Sequence, residues 1–193
     1  MIYDGLGGQP YRGDVAIRKD TIAAIGNLSA SSAKKIIDVN GKAISPGFIN
    51  MLSWADGSLL KDGRSMSDIK QGVTLEVFGE GWSPGPRNKK NSKDTLWTTL
   101  DGYFKTLERK GVSTNFASFV GATTVRNLVL GYLNRKPTPD EMSKMKNLVE
   151  EAMKQGAMGV GSSLIYAPAD YASTEELIEL NKVVAKYGGM YIT

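Results

Sequence analysis

From residue 46 onward, short apolar runs alternate with longer stretches of helical periodicity, and this alternation constrains the fold more than any other feature of the chain. Strands separated by single helical crossovers bury both element types only when the strands lie parallel and every crossover keeps one hand. Gly47-Phe48-Ile49-Asn50-Met51-Leu52 reads as the first strand, Val73 to Gly79 as the second, Asn115 to Val120 as the third and Ala157 to Leu164 as the fourth. Met190-Tyr191-Ile192-Thr193 begins a fifth. Between them, Ser65 to Gln71 is a brief helix stopped by Gly72. A Gly/Pro-rich excursion from Gly81 to Ser92 precedes the next helix, which starts at Asp94 as N-cap. That helix turns Trp97, Leu100, Phe104 and Leu107 to one face and ends at Gly111.

The later helices announce themselves through their caps. Val125 to Leu130 reads as helix, and Thr138, Pro139 and Glu141 supply the cap, first-turn proline and capping box of the next. Its stripe is Met142, Met145, Val149, Ala152 and Met153, closed by Gly156. Methionines at this spacing fill a core. Ser173 and Glu176 make a second capping box ahead of Leu177, Leu180 and Val184, and Gly188-Gly189 ends that helix.

Residues 1–45 follow a different pattern. Asp14 to Arg18 alternates, Lys19-Asp20 turns, and Thr21 to Ile25 pairs back as a hairpin. Lys35-Ile36-Ile37-Asp38-Val39 reads as a third strand closed by the Asn40-Gly41 turn signal. So little sheet needs something to pack on. The expected fold class is therefore α/β: a small β domain over 1–45, then parallel strands and helices over 46–193 that suggest either an open α/β sheet or a partial (β/α)8 TIM-type barrel. A whole barrel takes about 250 residues, so about five β/α units fit here. The chain stops inside its fifth strand, which favours a piece of a longer protein over a metal-independent α/β enzyme complete at this length.

Composition narrows the chemistry. The 193 residues contain neither His nor Cys, which removes the commonest general base, the commonest transition-metal ligand, thiolate sites and disulfides. Lys and Arg total 24 against 20 Asp and Glu, and the nearest basic cluster, Arg87, Lys89, Lys90 and Lys93, sits in a loop-forming segment flanked by Trp82 and Trp97. It reads as a solvated loop, so no nucleic-acid partner is expected. No apolar run reaches membrane-span length, and no membrane partner is expected. Gly5, Gly7, Gly8 and Pro10 interrupt any signal-peptide pattern in these residues, and the compartment of this soluble protein, cytoplasm or periplasm, stays open.

Asp14 to Arg18 with Ile22 to Gly26, and Ile37 to Lys42 leading into Ser45-Pro46-Gly47-Phe48-Ile49-Asn50, resemble the opening of the amidohydrolase superfamily. Three later segments resemble its N-acyl-D-amino-acid deacylase branch: Gln71-Gly72-Val73-Thr74, Glu151 to Gly159, and Leu164-Ile165-Tyr166-Ala167-Pro168 with Tyr171 to Leu177. The resemblance implies a partial (β/α)8 TIM-type barrel over 46–193 preceded by part of a small β-sandwich domain over 1–45, in a zinc-dependent protein that hydrolyses amide bonds by metal-activated water, with N-acyl amino acids as small-molecule substrates. It also implies that the final-strand aspartate and the main His ligands lie outside these residues.

Departures from that pattern are specific. Where the family places a His-x-His pair after the first strand, this chain has Leu52-Ser53-Trp54. Where a Cys ligand follows the second strand, the turn reads Gly79-Glu80-Gly81-Trp82, and Glu80 is the candidate metal ligand. No catalytic residue falls within the chain, and the 193 residues are expected to be inactive alone and to bind no zinc. The alternative is a pseudoenzyme, a binding or scaffold relative that has lost its metal site. Tyr166, Ser162, Ser163 and Trp82 are the candidate substrate contacts, because they follow strands at the end where barrel sites are built. Asp56 reads as a cap, and Gly159-x-Gly161-Ser162-Ser163 lacks the spacing and the Lys of a phosphate loop. Open barrel edges are expected to make the chain self-associate.

Overall fold

The structure is a computed structural model and describes residues 1–88 and 96–193. Lys89, Lys90 and Lys93 of the basic cluster, and the expected N-cap Asp94, lie outside the described residues. The chain forms two compact units, Met1–Gly47 and Phe48–Thr193.

In the first unit, β1 (Asp14–Arg18) and β2 (Thr21–Gly26) pair antiparallel around Lys19-Asp20, with a bulge between Ala16 and Ile17. Lys19 takes the positive φ of 58° that closes so tight a turn. Ile2 is buried and bridges both Tyr11 and Ile44. The third strand expected at residues 35–39 does not form. Ile36 and Ile37 stay 79% and 72% exposed, and the Asp38 carboxylate accepts the Asn40 amide hydrogen. That local turn offers the backbone an alternative to ladder pairing.

The second unit is the expected parallel strand–helix frame. Its strands are β3 (Phe48–Asn50), β4 (Val73–Phe78), β5 (Asn115–Ser118), β6 (Val120–Gly121), β7 (Gly159–Gly161) and β8 (Met190–Ile192). They pair in parallel as β3-β4-β5 and β6-β7-β8. β5 and β6 are one barrel strand interrupted at Phe119, whose amide still donates to Phe78 O at 2.8 Å while Met158 N donates to Ser118 O at 2.9 Å. Five barrel strands therefore run in sequence order, an unclosed part of a TIM-type barrel.

Two short helices cross from β3 to β4: α1 (Asp56–Lys61) and α2 (Met66–Ile69). The sequence reading missed α1, which buries one apolar side chain, Leu59, and has no side-chain cap to signal it. α3 (Leu100–Lys110) begins later than expected, because Thr99 caps it by accepting the Gly102 amide at 3.0 Å. Trp97 lies outside the helix, packs its ring 5.1 Å from that of Tyr103, and donates from Nε1 to Pro84 O at 2.7 Å. α4 (Ala122–Leu130) and α5 (Pro139–Lys154) lead from β6 to β7, and the Thr138–Glu141 capping box forms as read.

α6 (Thr174–Ala185) leads to β8 and is capped by Ser173, which accepts the Glu176 amide at 3.2 Å. Its capping box is incomplete: the Glu176 carboxylate reaches away to Arg126 of α4 in a buried ion pair. Two clusters fill the layer between strands and helices. One gathers Val120, Val160, Met145, Val149, Leu180 and Val184; the other gathers Phe78, Trp97, Tyr103 and Leu107.

Candidate active site

Parallel strands bring all their carboxyl ends to one face, and loops leaving that face build barrel sites. The tail of β4 dominates that face here. Gly79 has φ +97°, and a Cβ on it would meet Phe119 O at 2.1 Å, so only glycine lets the chain turn across its neighbours at this point. The crossing brings Glu80 against the end of β7: a side chain at Gly161 would stand 2.3 Å from Gly79 O and 3.1 Å from the Glu80 Cα.

Hydrogen bonds fix the crossing. Gly81 O accepts from the amides of Thr123 (3.0 Å) and Thr124 (3.3 Å), two first-turn donors of α4 that lack partners inside the helix. Ser83 N donates to the Thr124 hydroxyl at 2.8 Å, and the Ser83 hydroxyl accepts the Gly121 amide at 2.9 Å while donating to Gly85 O at 2.6 Å. The Glu80 backbone is therefore pinned on both sides. Its half-buried carboxylate has no hydrogen-bond or ion-pair partner among the described residues.

The structure brings Glu80, Trp82 and Ser163 onto adjoining strand ends, since a Cβ on Gly81 would lie 2.9 Å from that of Ser163. Trp82 is 41% exposed and borders a cavity of about 350 Å³ together with Ser83, Thr124, Asn127 and Leu128. A larger cavity of about 760 Å³ lies over α5, among Lys144, Asn147 and Gln155, and Glu80 has no part in it. Ser162 is fully buried, and its hydroxyl shares a 2.6 Å hydrogen bond with the Tyr191 phenol on β8. Tyr166 stands four residues further along the chain and is 75% exposed, and its carbonyl accepts the Ala169 amide at 2.8 Å.

At the first strand end, Leu52 and Trp54 are exposed, while the Ser53 hydroxyl donates to Glu76 Oε2 at 2.7 Å. Glu76 is a fully buried carboxylate that sequence reading missed. Its other oxygen accepts from the Ser65 hydroxyl at 2.8 Å and the Thr114 hydroxyl at 2.9 Å. Alternation along β4 places Glu76 on the same face as Phe78, which packs under α3, so it belongs to the helix layer and not to the site. Asp56 also lies on that side. It opens α1, and its carbonyl accepts the Tyr103 hydroxyl at 2.8 Å. Burial, with the Asp56 and Glu76 charges nearby, pushes the Tyr103 phenol well above its ordinary range.

A zinc site needs three or four nitrogen, sulfur or carboxylate donors. Among the described residues no three His, Cys, Asp or Glu side chains cluster to hold a metal. The described residues therefore do not make up a complete centre.

No family model matches the chain. Comparison with individual proteins is informative. D-aminoacylase of Alcaligenes xylosoxydans xylosoxydans is 36% identical over 203 aligned residues, which take in 100% of this chain and 42% of that protein. A crystal structure of D-aminoacylase, reported as defining a novel subset of amidohydrolases, superposes with a TM-score of 0.90 at 37% identity, over 98% of this chain and 42% of that one. N-acyl-D-glutamate deacylase from Bordetella bronchiseptica, solved with zinc and a phosphonate mimic of the tetrahedral intermediate, gives a TM-score of 0.90 at 28% identity over the same shares. The frame of parallel strands with its strand-end face is that of an amidohydrolase. Within that superfamily the chain belongs to the D-aminoacylase (N-acyl-D-amino-acid deacylase) family. It spans about 42% of the length of these relatives.

Proposed function

We propose that this chain forms part of a metal-dependent hydrolase that removes the acyl group from N-acyl-D-amino acids. The reaction adds water across the amide C–N bond and releases a carboxylic acid and a free amino acid. The observation that carries this reading is the similarity to D-aminoacylase over the length of this chain and 42% of that protein, in sequence and in fold together. Zinc is the proposed cofactor of the whole protein, on the pattern of the zinc-complexed N-acyl-D-glutamate deacylase.

Within this chain Glu80 is the proposed metal ligand. Trp82, Ser163 and Tyr166 are the proposed substrate contacts, and Ser162 supports them from behind by holding Tyr191. The domain boundary is proposed between residues 45 and 46. The substrates are small molecules, neither nucleic acid nor membrane, met in the cytoplasm or periplasm. No described helix is long and apolar enough to cross a membrane. The 193 residues alone are proposed to have no turnover, because Glu80 is one donor where a centre needs several.

A second reading, a relative that keeps binding or scaffold functions without catalysis, is favoured by the Leu52-Ser53-Trp54 sequence at the first strand end, where no side chain can ligate a metal strongly. The deciding experiment assays this chain and its full-length protein with zinc on a panel of N-acyl-D-amino acids. Turnover by the full-length form alone is the expected result. Turnover by neither favours the binding relative, and turnover by the short chain refutes the assignment of inactivity.

A further inference from the structure

Arg126 of α4 and Glu176 of α6 form an ion pair in which both side chains are buried. Through Nη2 the Arg126 guanidinium also donates to Leu133 O at 3.1 Å and Arg135 O at 2.8 Å, while its Nε, equally out of water, has no hydrogen-bond partner among the described residues. Taking two charges and a polar N–H out of water is costly, and well-packed apolar side chains of similar size are often as stable or more so. Stability is therefore a poor reason for such a pair, and its place in the fold offers a better one.

Each partner lies just behind a loop of the strand-end face. Arg126 is the fifth residue of α4, whose first turn holds Gly81 O through the Thr123 and Thr124 amides and accepts the Ser83 amide on the Thr124 hydroxyl. Trp82 stands between those two holds. α4 also packs against the 3-10 turn Ala169–Tyr171, whose Ala169 amide donates to Tyr166 O. Glu176 is the third residue of α6, directly behind the Ser173 cap that closes the Tyr166 loop. One ion pair thus joins the helix that holds Trp82 to the helix that ends the Tyr166 loop. Glu80 is fixed separately, by the close approach of Gly79 to Phe119 and Gly161. We infer that Arg126 and Glu176 are positioning residues that set Trp82 and Tyr166 relative to each other, and so govern how tightly substrate is held more than how fast it reacts. The inference rests on the proposed substrate contacts.

The test compares the full-length protein with its Arg126→Met/Glu176→Leu variant, in which apolar side chains fill the space of the pair. Hydrogen exchange is read by mass spectrometry without substrate. The segments holding the Ser83 and Ala169 amides should exchange about tenfold faster or more in the variant, the order by which groups in one network couple. Amides of β4 and β7 should keep their parental rates. On N-acyl-D-amino acids KM should rise about tenfold or more, with kcat changed by less than about threefold. Glu176→Gln, which keeps an acceptor for Arg126, should fall between parent and double variant in both readouts, and it decides the matter if the double variant does not fold. Parental exchange in both loops, a uniform rise across all strands, or a fall in kcat at constant KM each overturns the inference. Faster loop exchange without deacylase activity in any form removes the proposed substrate class alone. Deacylase activity with parental loop exchange and parental KM removes this inference alone.

Discussion

Glu76 stands in Val73-Thr74-Leu75-Glu76-Val77-Phe78, where the surrounding pattern calls for an apolar side chain. Three hydroxyl donors, from the end of β3, the start of α2 and the approach to β5, converge on it with no exposure to water. Unpaired buried donors cost about 1–3 kcal/mol each, and relaxation recovers part of that. Glu76→Ala should therefore lower unfolding stability by about 3 kcal/mol, and Glu76→Gln, which keeps one acceptor oxygen, by less. Urea unfolding of the two variants measures this, and a loss below about 1 kcal/mol for the alanine would show that the network does not anchor the strand. Nothing in the linear pattern reveals the three donors, because they lie 23, 11 and 38 positions away. The same holds for Ser162, legible as a strand-end hydroxyl but not as the partner of Tyr191, 29 positions on.

Helix ends show how local signals and tertiary demands compete. At Thr138–Glu141 the capping box closes, and Arg135 adds a second hold on the same carboxylate at 2.7 Å. The Arg135 guanidinium and the Thr138 amide hold the Glu141 carboxyl down at about 2. Lys146 and Lys182 likewise hold Glu179 at about 2. At Ser173–Glu176 the same motif opens, because Arg126 is buried and needs a counter-charge. Its guanidinium also donates to Leu133 O and Arg135 O, tying α4 to α6 and to the loop before α5. Burial pushes the Glu176 carboxyl up, against the opposing pull of Arg126. For Glu141 and Glu179 the folded pKa lies below the unfolded value of about 4.3. Their contribution is therefore complete above that value and is lost as pH falls toward 2. The melting temperature should fall between pH 5 and pH 2, and a Glu141→Gln/Glu179→Gln variant should show a flatter fall. Superimposable profiles for variant and parent would refute the assignment.

At the scale of the molecule, the outer edges of β3 and β8 have no strand partner among the described residues, and Phe48, Ile49, Met190 and Tyr191 beside them are 42–60% exposed. Unpaired backbone groups next to apolar side chains form a template for another strand. The 193-residue chain is expected to self-associate, with light scattering giving a mass above 20.9 kDa that rises with concentration. Ile49→Lys, a charge on the β3 edge, should lower that mass. A monomer at every concentration would refute edge pairing.

The sequence by itself determined the parallel strand–helix order, most helix ends and the deacylase resemblance, because caps, periodicity and glycine stops act within a few residues. It could not reveal α1, whose six residues bury one side chain, nor the later start of α3 at Thr99. Ile36-Ile37 read as a strand on apolar content alone, yet strands exist only where a partner accepts their hydrogen bonds. Tertiary structure decided which polar groups belong to the core and which face the site. Glu76 and Glu80 lie four residues apart on one strand and its exit; alternation turns the first under the helices, and the reversal at Gly79 carries the second onto the strand-end face. That choice depends on the close approach of Gly79 to Phe119 and Gly161, contacts across 40 and 82 positions that no local pattern encodes.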